Sequence, residues 1–280
     1  METIPYGTVA GKTLTLNAFI PMRAEKPVPA MVEIHGGWFE GGEPAREVPG
    51  FVAQRGVAYF AIAYRLGGEG GFPECIRDCR NAIRFIRKNA ARFNVDPDRI
   101  AVMGGSAGGH LSLMAGLVPE RFDDGGPLPD LEGTSAKVCG VFSYIPPTDF
   151  VRFWNQGPDD VVVAADGTES FRGVLPGVEN DARPHLRALF HGITPATNAG
   201  AALYTRMSPI GHIRKGLPPL LVCEGAHDPI LPGEMAKEFA DRAKAAGNDV
   251  TYWLSDNGHE WPAGKGFDAL LSGFLDRIYR

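Results

Sequence analysis

Short apolar runs alternate with longer amphipathic segments along most of the chain. The runs are short and rich in Val, Ile, Leu, Phe and Ala, which is typical of buried strands. Helical patterns fall between most of these runs, so we expect a mostly parallel twisted sheet covered by helices on both faces, an α/β fold. The predicted strands are Thr13–Ile20, Met31–Ile34, Ala58–Tyr64, Ile100–Met103, Val138–Tyr144, Leu220–Cys223 and Val250–Leu254.

The clearest helical pattern runs from Pro73 to Phe93, where apolar residues recur at three- and four-residue spacing. Further helices are predicted over Gly233–Ala246 and Phe267–Tyr279, and the segment that starts at His110 can also continue as a helix. Basic residues recur along the first of these helices, and we interpret them as a solvated helix face: Arg77, Arg80, Arg84, Arg87, Lys88 and Arg92.

The alternation of strands and helices breaks down between residues 149 and 207. This stretch is rich in Gly, Pro, Asp and Arg, carries scattered aromatic residues, and has a helical pattern only over Ala182–Phe190. We predict a single domain over residues 1–280, with 149–207 inserted as a cap-like segment that covers the site. A structural excursion without a role at the site is the alternative interpretation.

Composition narrows the class of protein. The chain has 280 residues, a net charge of −5 and 44% hydrophobic residues, which suits one soluble globular domain with an ample core. The acidic balance disfavours nucleic acid as a partner. No apolar run approaches the length of a membrane span and no signal peptide is visible, so we expect a cytoplasmic protein as written, or a secreted one if a signal was removed. The oligomeric state stays open.

The cysteines and histidines do not suggest a metal site. We interpret the four cysteines as buried free thiols, because no pair of them has the spacing of a zinc ribbon. His259 and Glu260 begin like the zinc motif H-E-x-x-H, but Ala263 occupies the position of the second histidine. Neither a metal nor another cofactor is therefore expected.

One serine is surrounded by glycines, in the stretch Gly104-Gly105-Ser106-Ala107-Gly108-Gly109. Two glycines on each side suggest a backbone conformation that bulkier neighbours would not allow. An apolar strand precedes the serine and a helical pattern follows it, so the stretch fits G-x-S-x-G, the nucleophile elbow. The dinucleotide motif G-x-G-x-x-G fails, because Ser106 occupies its second glycine position.

A serine hydroxyl needs a base to become a nucleophile, and the base needs a group that orients it. His259 follows the last predicted strand through a short loop, which places it where a base is required. Asp228 lies a few residues beyond the preceding strand, and the order Ser106, Asp228, His259 is the one expected for this kind of sheet. Asp256 is the alternative acid because it is close to His259 in sequence. Since both residues lie on one tight loop, we do not expect the Asp256 carboxylate to reach the far ring nitrogen of His259.

The other histidines are less suitable as the base. His110 follows the glycines on a helix and is interpreted as a packing residue. His185, His191 and His212 lie in or near the 149–207 segment and have no comparable placement. For His259 itself, the alternative is a hydrogen-bonded histidine in a surface loop.

Attack on a carbonyl also requires donors for the oxyanion that forms. The sequence His35-Gly36-Gly37 follows the strand Met31–Ile34 and exposes backbone N–H groups with little side-chain obstruction. A plain glycine-rich turn is the alternative. With the serine, the aspartate and the histidine in place, we favour an oxyanion hole.

Together these motifs resemble the α/β-hydrolase superfamily, and within it the hormone-sensitive-lipase-like esterases and the bacterial carbohydrate esterases of the acetyl xylan and feruloyl esterase type. The resemblance rests on HGGWFEGG, AYRL, GAHD, NGH and the long block around the serine, and it is weak over the 149–207 segment. It implies a Ser-His-Asp triad. The implied roles are nucleophile for Ser106, base for His259, its partner for Asp228, and oxyanion donors for the N–H groups of Gly37, Trp38 and Ala107.

The activity that this resemblance implies is hydrolysis of short-chain carboxylic esters, with acetyl or feruloyl esters of plant polysaccharides as substrates. The partner would then be a small-molecule or oligosaccharide ester. The 149–207 segment supports short acyl chains, because it lacks the long apolar helix of a lipase lid. Trp38 and Trp261 are expected to line the cleft as substrate-binding residues, where flat rings stack on sugar or aryl groups, although core packing explains either residue equally well.

Two alternatives stay open. The family often has a third glycine where this chain has Trp38, and an aromatic residue there also resembles the HGGxW motif of kynurenine formamidases. An arylformamidase is therefore the alternative activity, although Phe39 replaces the tryptophan of that motif. A hydrolase-fold protein that binds a ligand without turning it over is the second alternative.

Overall fold

The computed structural model of the protein describes residues 1–22, 24–122, 126–155, 161–163, 169–171, 182–231, 234–262 and 264–280. Eight strands in these ranges form the main sheet, and a separate pair lies in the 149–207 segment. The strands are β1 (Glu2–Val9), β2 (Lys12–Phe19), β3 (Val28–Ile34), β4 (Ala58–Ile62), β5 (Val95–Gly105), β6 (Val141–Tyr144), β7 (Val161–Val163), β8 (Glu169–Phe171), β9 (Leu220–Gly225) and β10 (Val250–Ser255).

The main sheet has the order β1-β2-β4-β3-β5-β6-β9-β10. The strands β1, β2 and β4 pair antiparallel, and every pairing from β4 to β10 in this order is parallel. All seven predicted strands are present in this sheet, with ends that differ by a few residues, and the predicted mostly parallel α/β architecture is confirmed. Because β5, β6, β9 and β10 run in one direction, the loops that follow them gather at one edge of the sheet.

The edge strand β1 was missed by the sequence prediction. Pro5 and Gly7 lie within it, and both residue types weaken a strand pattern. The pairing with β2 shifts its register between these two residues, and the strand is retained because Ile4 and Tyr6 are buried in the core. An edge position tolerates the proline, because only one side of the strand pairs.

Helices cover both faces of the sheet. In the described ranges they are α1 (Gly50–Ala53), α2 (Glu74–Lys88), α3 (Ala107–Leu117), α4 (Phe150–Asn155), α5 (Ala182–Leu189), α6 (Asn198–Arg206), α7 (Met235–Ala245) and α8 (Phe267–Ile278). Four short 3-10 helices join them, over Gly67–Glu69, Glu120–Phe122, Pro129–Leu131 and Pro209–His212. No described helix has the length and apolar character that a membrane span requires.

Two apolar clusters lie on opposite faces of the sheet. Along β3, Val32 and Ile34 face one cluster and Met31 faces the other, as the alternation of side chains along a strand requires. The first cluster contains apolar residues of α2, α3 and α7, and the second is covered by α8 through Phe274 and its neighbours. Both faces of the sheet are therefore buried, which explains why the central strands are continuous apolar runs in the sequence.

The interpretation of the basic series on α2 as a solvated face is wrong for Arg80 and Arg84, which are buried. Arg80 donates hydrogen bonds to the carbonyl oxygens of Ala115 and Val118 at the end of α3, and both arginines pair with Glu120 at 3.1 Å. Buried guanidinium groups of this kind satisfy carbonyls that the helix end leaves unpaired.

The cysteines agree with their interpretation as free thiols. Cys75, Cys79 and Cys223 are buried, Cys139 is half-buried, and none forms a disulfide. Burial raises the pKa of each thiol, that of Cys139 to about 12. Neutral thiols in an apolar core are inert, so we give them a packing role.

The 149–207 segment is more helical than predicted. Its helix α5 agrees with the predicted Ala182–Phe190, but α4 and α6 were not expected. Tyr204 of α6 stacks on Phe190 with ring centroids 3.7 Å apart, and both rings are buried. Most of the remaining segment lies outside the described residues, so its division from the main domain stays a prediction.

Candidate active site

Ser106 lies in the turn between β5 and α3, with φ 56° and ψ −123°. A positive φ is rare for a residue with a side chain and persists only where surrounding contacts hold it. Here the Ser106 N–H donates to the Tyr144 carbonyl at 3.0 Å, and the Ser106 carbonyl accepts from the N–H of His110 at 3.0 Å. The turn between strand and helix is thus fastened to β6 on one side and to α3 on the other.

The glycines around Ser106 are required by close approach of other chain segments. A Cβ atom at Gly108 would lie 1.9 Å from the Ile34 carbonyl oxygen, and one at Gly104 would lie 2.5 Å from the same oxygen. A Cβ atom at Gly105 would lie 2.1 Å from the Tyr144 ring. The glycine-rich pattern therefore reflects dense packing of the elbow between β3 and β6 as well as backbone freedom.

Ser106, His259 and Asp228 form one chain of hydrogen bonds. The Asp228 Oδ2 atom lies 2.8 Å from His259 Nδ1, and His259 Nε2 lies 2.9 Å from Ser106 Oγ. Since a carboxylate can only accept, Nδ1 carries the proton and Nε2 is left to accept from the serine hydroxyl. This is the tautomer that a general base for serine requires.

Asp228 is itself held in place. Its Oδ1 atom accepts from the N–H groups of Ile230 and Leu231 at 2.8 and 3.1 Å, and its side chain is only 5% exposed. By contrast, the rival Asp256 is exposed to solvent. The structure therefore brings Asp228 to the histidine.

The loops after β9 and β10 carry Asp228 and His259, and they lie directly against each other. The His227 N–H donates to the Asn257 carbonyl at 3.1 Å, and the Ala226 N–H donates to the Ser255 carbonyl at 2.9 Å. This contact follows from the parallel pairing of the two strands, because their carboxyl ends lie side by side.

The glycine turn, residues 36–41, passes beside the elbow. A Cβ atom at Gly36 would lie 3.0 Å from the Gly105 carbonyl oxygen and 3.5 Å from Ser106 Cβ. Among the described residues, the N–H groups of Gly37, Trp38 and Ala107 donate to no protein acceptor. Ala107 also begins α3, whose N-terminus favours negative charge. The turn and the helix thus offer free donors near the serine, as an oxyanion hole requires.

Trp38 adopts the left-handed backbone conformation that a third glycine would adopt easily. Its φ is 56° and that of Phe39 is 62°. The turn is closed by the N–H groups of Glu40 and Gly41, which donate to the Gly37 carbonyl at 3.0 and 2.9 Å. A bulky residue is therefore accommodated here by the closed turn and by contacts of the Trp38 ring.

A narrow cavity opens beside Ser106. Its walls come from the glycine turn, from the helices α4 and α5, and from the loop after Asp228, and they are predominantly apolar. The lining residues are Trp38, Phe39, Ser106, Ala107, Pro147, Phe153, His185, Leu186, Leu189, Ile230 and Leu231.

The two tryptophans predicted to bind substrate are placed differently. Trp38 lines the cavity, whereas Trp261 is not among the residues that form its walls. The Trp261 ring packs against Phe142, Tyr144 and Phe51 at centroid distances of 5.0 to 5.5 Å, and the residue is 38% exposed. These ring contacts give Trp261 a packing role, and its contact with substrate stays a prediction.

Sequence reasoning gave His185 no place at the site, but the structure puts it in the cavity wall. Its ring stacks on Trp38 with centroids 4.5 Å apart, and its Nδ1 atom lies 2.9 Å from Glu40 Oε2. His185 belongs to the 149–207 segment, where the sequence pattern did not show which residues face the elbow.

His110 is a packing residue, as predicted. It is buried against Phe39 and Phe150, and its Nε2 atom lies 2.8 Å from the Met207 carbonyl oxygen, to which it donates. Burial lowers the His110 pKa to about 3, so the ring is neutral. Among the described residues, no group of three or more His, Cys, Asp and Glu side chains is arranged to hold a metal ion.

The sheet order, the serine elbow and the acid and base on neighbouring loops define an α/β-hydrolase fold, as the sequence motifs predicted. More specifically, a family model, BD-FAE, matches residues 16–242, and the chain belongs to this family.

Similar proteins include several named esterases. Esterase LipC of Mycobacterium tuberculosis is 29% identical over 273 residues, covering 91% of this chain and 60% of LipC. The probable carboxylic ester hydrolase LipM of the same organism is 27% identical, covering 77% of this chain and 45% of LipM. This chain therefore spans less than two thirds of these curated relatives.

Solved structures match over nearly the whole chain. The thermophilic esterase Est2 of Thermogutta terrifontis, with butyrate bound, is 26% identical with a TM-score of 0.69, and the match covers 99% of this chain and 91% of Est2. The same esterase phosphonylated by sarin matches with the same identity, TM-score and coverage.

Proposed function

We propose that this protein is a carboxylic ester hydrolase that uses Ser106 as its nucleophile. The observation that carries the proposal is the continuous hydrogen-bonded chain from Asp228 through His259 to Ser106. A binding protein would have no need to hold a base and its orienting acid in this geometry. The names of the relatives LipC and LipM and of the structural neighbour Est2 support the same class of enzyme.

In the first half of the reaction, Ser106 Oγ attacks the acyl carbonyl carbon while His259 Nε2 takes the hydroxyl proton. Asp228 stabilises the imidazolium that forms. The N–H groups of Gly37, Trp38 and Ala107 donate to the oxyanion. The tetrahedral intermediate then collapses, the bond to the alcohol oxygen breaks, and the imidazolium protonates the leaving alcohol.

Water completes the reaction. It attacks the acyl-enzyme carbonyl while His259 accepts a proton from it. The second tetrahedral intermediate then collapses, the bond between the acyl carbon and Ser106 Oγ breaks, the carboxylic acid leaves, and the imidazolium returns its proton to Ser106 Oγ. Each proton is transferred between the substrate, water and protein side chains, so the scheme needs no metal and no cofactor.

The proposed substrates are short-chain acyl esters, with acetyl esters of plant polysaccharides foremost. Feruloyl esters of the same polysaccharides, whose acyl group is a larger aromatic acid, are the second candidate. The cavity beside Ser106 is narrow and apolar, which suits a small acyl group. Each methylene that does not fit costs about 1–3 kcal/mol in discrimination. We also propose that the 149–207 segment acts as a cap within a single domain, because Phe153 and Leu186 of this segment form part of the cavity wall.

A fluorophosphonate probe tests the nucleophile. We expect rapid covalent labelling of the parent protein and no labelling of Ser106→Ala, which should fold normally and lose nearly all esterase activity, because binding and the oxyanion hole alone leave only ~10³–10⁴-fold catalysis over water in a serine triad. Incubation with EDTA should not change the activity of the parent. Undiminished activity in Ser106→Ala, or loss of activity in EDTA, would contradict the mechanism.

A substrate panel tests the acyl and alcohol preferences. It consists of 4-nitrophenyl acetate, butyrate, octanoate and palmitate, together with acetylated xylan, methyl ferulate and N-formylkynurenine. We expect kcat/KM to be highest for acetate and to fall with chain length. A maximum at octanoate or beyond would refute the short-chain proposal, and strong turnover of N-formylkynurenine without acetate release from xylan would favour the arylformamidase.

A further inference from the structure

The Trp38 ring packs against two side chains of the 149–207 segment. The His185 ring stacks on it with centroids 4.5 Å apart and planes 23° apart, and the Phe153 ring lies near-parallel to it at 6.1 Å and 13°. These two residues come from α5 and α4, whereas Trp38 belongs to the glycine turn. The side chain of Trp38, whose N–H is a proposed oxyanion donor, thus packs against α4 and α5 of the 149–207 segment.

A second contact joins the same two parts. Glu40 lies in the glycine turn two residues after Trp38, and its Oε2 atom accepts from His185 Nδ1 at 2.9 Å. One histidine therefore holds the turn twice, through its ring face on Trp38 and through its ring nitrogen on Glu40. A charged or polar pair on a surface contributes little by itself, but here its geometry is fixed by ring stacking.

The backbone of the glycine turn needs such support. Trp38 and Phe39 are consecutive residues with side chains, and both have a left-handed φ. Residues in this region of conformational space relax unless their surroundings hold them. A rotation of the peptide between Gly37 and Trp38 would change the direction in which the Trp38 N–H points.

We propose that His185 and Glu40 are positioning residues, which fasten α5 to the glycine turn and thereby aim the Trp38 N–H at the oxyanion. The inference rests on the proposed esterase function. It predicts that catalysis depends on this contact between the 149–207 segment and the turn. Because the N–H stabilises charge that develops in the transition state, loosening it lowers kcat more than it raises KM.

The test compares Glu40→Ala, His185→Ala and the double variant with the parent on 4-nitrophenyl acetate. We expect each single variant to lower kcat by about tenfold with KM within about twofold, since misplacing a donor costs less than deleting it. The double variant should be no slower than the slower single variant, because both changes break the same contact. Glu40→Gln keeps an acceptor oxygen for His185 Nδ1–H and should retain kcat within about threefold.

Arg152→Gln is the matched control. Arg152 of α4 pairs with Glu238 of α7 at 2.9 Å, the same distance as the His185 and Glu40 pair, and the side-chain exposures of 38% and 37% resemble those of 38% and 34% in that pair. This pair therefore joins the same segment to α7 and not to the glycine turn. We expect the kcat of Arg152→Gln to equal that of the parent, and thermal unfolding should show all variants folded.

The outcomes separate the inference from the function on which it rests. If the parent is active and Ser106→Ala is not, but Glu40→Ala and His185→Ala turn over as fast as Arg152→Gln, the positioning role is refuted while the esterase stands. A rise in KM at unchanged kcat, or fully multiplicative effects in the double variant, also refutes it. A parent that neither labels with the fluorophosphonate nor hydrolyses any ester refutes the function itself.

Discussion

Replacement of Glu33 by glutamine should change how the stability of this protein depends on pH. Glu33 lies on β3, and its Oε2 atom is buried without a hydrogen-bond partner among the described residues. Burial raises the pKa of Glu33 from 4.5 to about 7, and the backbone amide of Ala45 offsets only part of this effect. The folded protein therefore keeps a proton on Glu33 at pH values where the unfolded chain has released it.

The sign of the effect follows from this difference. Below pH 4.5 the carboxyl group is neutral in both states, and its favourable contribution to folding is fully present. As the pH rises from 4.5 to about 7, the unfolded chain binds fewer protons than the folded one, so stability falls. Each pKa unit corresponds to roughly 1.4 kcal/mol, and the whole loss therefore amounts to ~3 kcal/mol. Glu33→Gln has no carboxyl group at this position and escapes the loss.

The assay is urea unfolding followed by tryptophan fluorescence, for the parent and for Glu33→Gln, from about pH 4 to about pH 8.5. We expect the free energy of unfolding of Glu33→Gln, relative to the parent, to rise by ~3 kcal/mol across this range and to level off above about pH 7. Glu132→Gln, which changes an exposed glutamate, controls for the loss of one negative charge. A difference between Glu33→Gln and the parent that does not vary with pH would refute the reasoning.

Other substitutions test the site and its support. Asp228→Asn should lower kcat by about 10⁴, since the neutral amide no longer holds the tautomer of the histidine, whereas Asp256→Asn should have little effect; the reverse ranking would move the acid to Asp256. Gly108→Ala should abolish soluble folded protein, because its Cβ atom would lie 1.9 Å from the Ile34 carbonyl oxygen, and a normal circular dichroism melt would contradict this. Trp261→Ala should lower the free energy of unfolding by about 2 kcal/mol without changing KM for 4-nitrophenyl acetate, because the ring packs rather than lining the cavity.

Motifs close together in sequence could be interpreted without the structure. The elbow around Ser106 and the turn at His35 each lie next to an apolar strand, and local conformation there depends on adjacent residues. Asp228 and His259 are far apart in sequence, yet each follows a predicted parallel strand, and the topology of such a sheet brings strand ends to one edge. Period and spacing were therefore sufficient to predict that these residues meet.

Exposure along α2 could not be predicted in the same way. A row of basic residues on a helix is usually solvated, but Arg80 and Arg84 lie where Glu120 and the end of α3 pack against the helix. Those partners belong to other elements, so the sequence of the helix alone does not predict that the two arginines are buried. Likewise, the core positions of Ile4 and Tyr6 retained the edge strand β1 despite its proline and glycine.

By itself, the sequence determined the α/β architecture, the strand ends that carry polar groups and the position of Ser106 in the turn between a strand and a helix, because each is encoded in short-range patterns of apolar residues and glycines. Only the tertiary structure decided the cavity beside Ser106, the packing role of Trp261 and the contact of His185 with the glycine turn. Those features join segments with no local pattern in common. They depend on how α4 and α5 pack over the sheet, and side-chain packing between distant segments leaves no periodic signal in the chain.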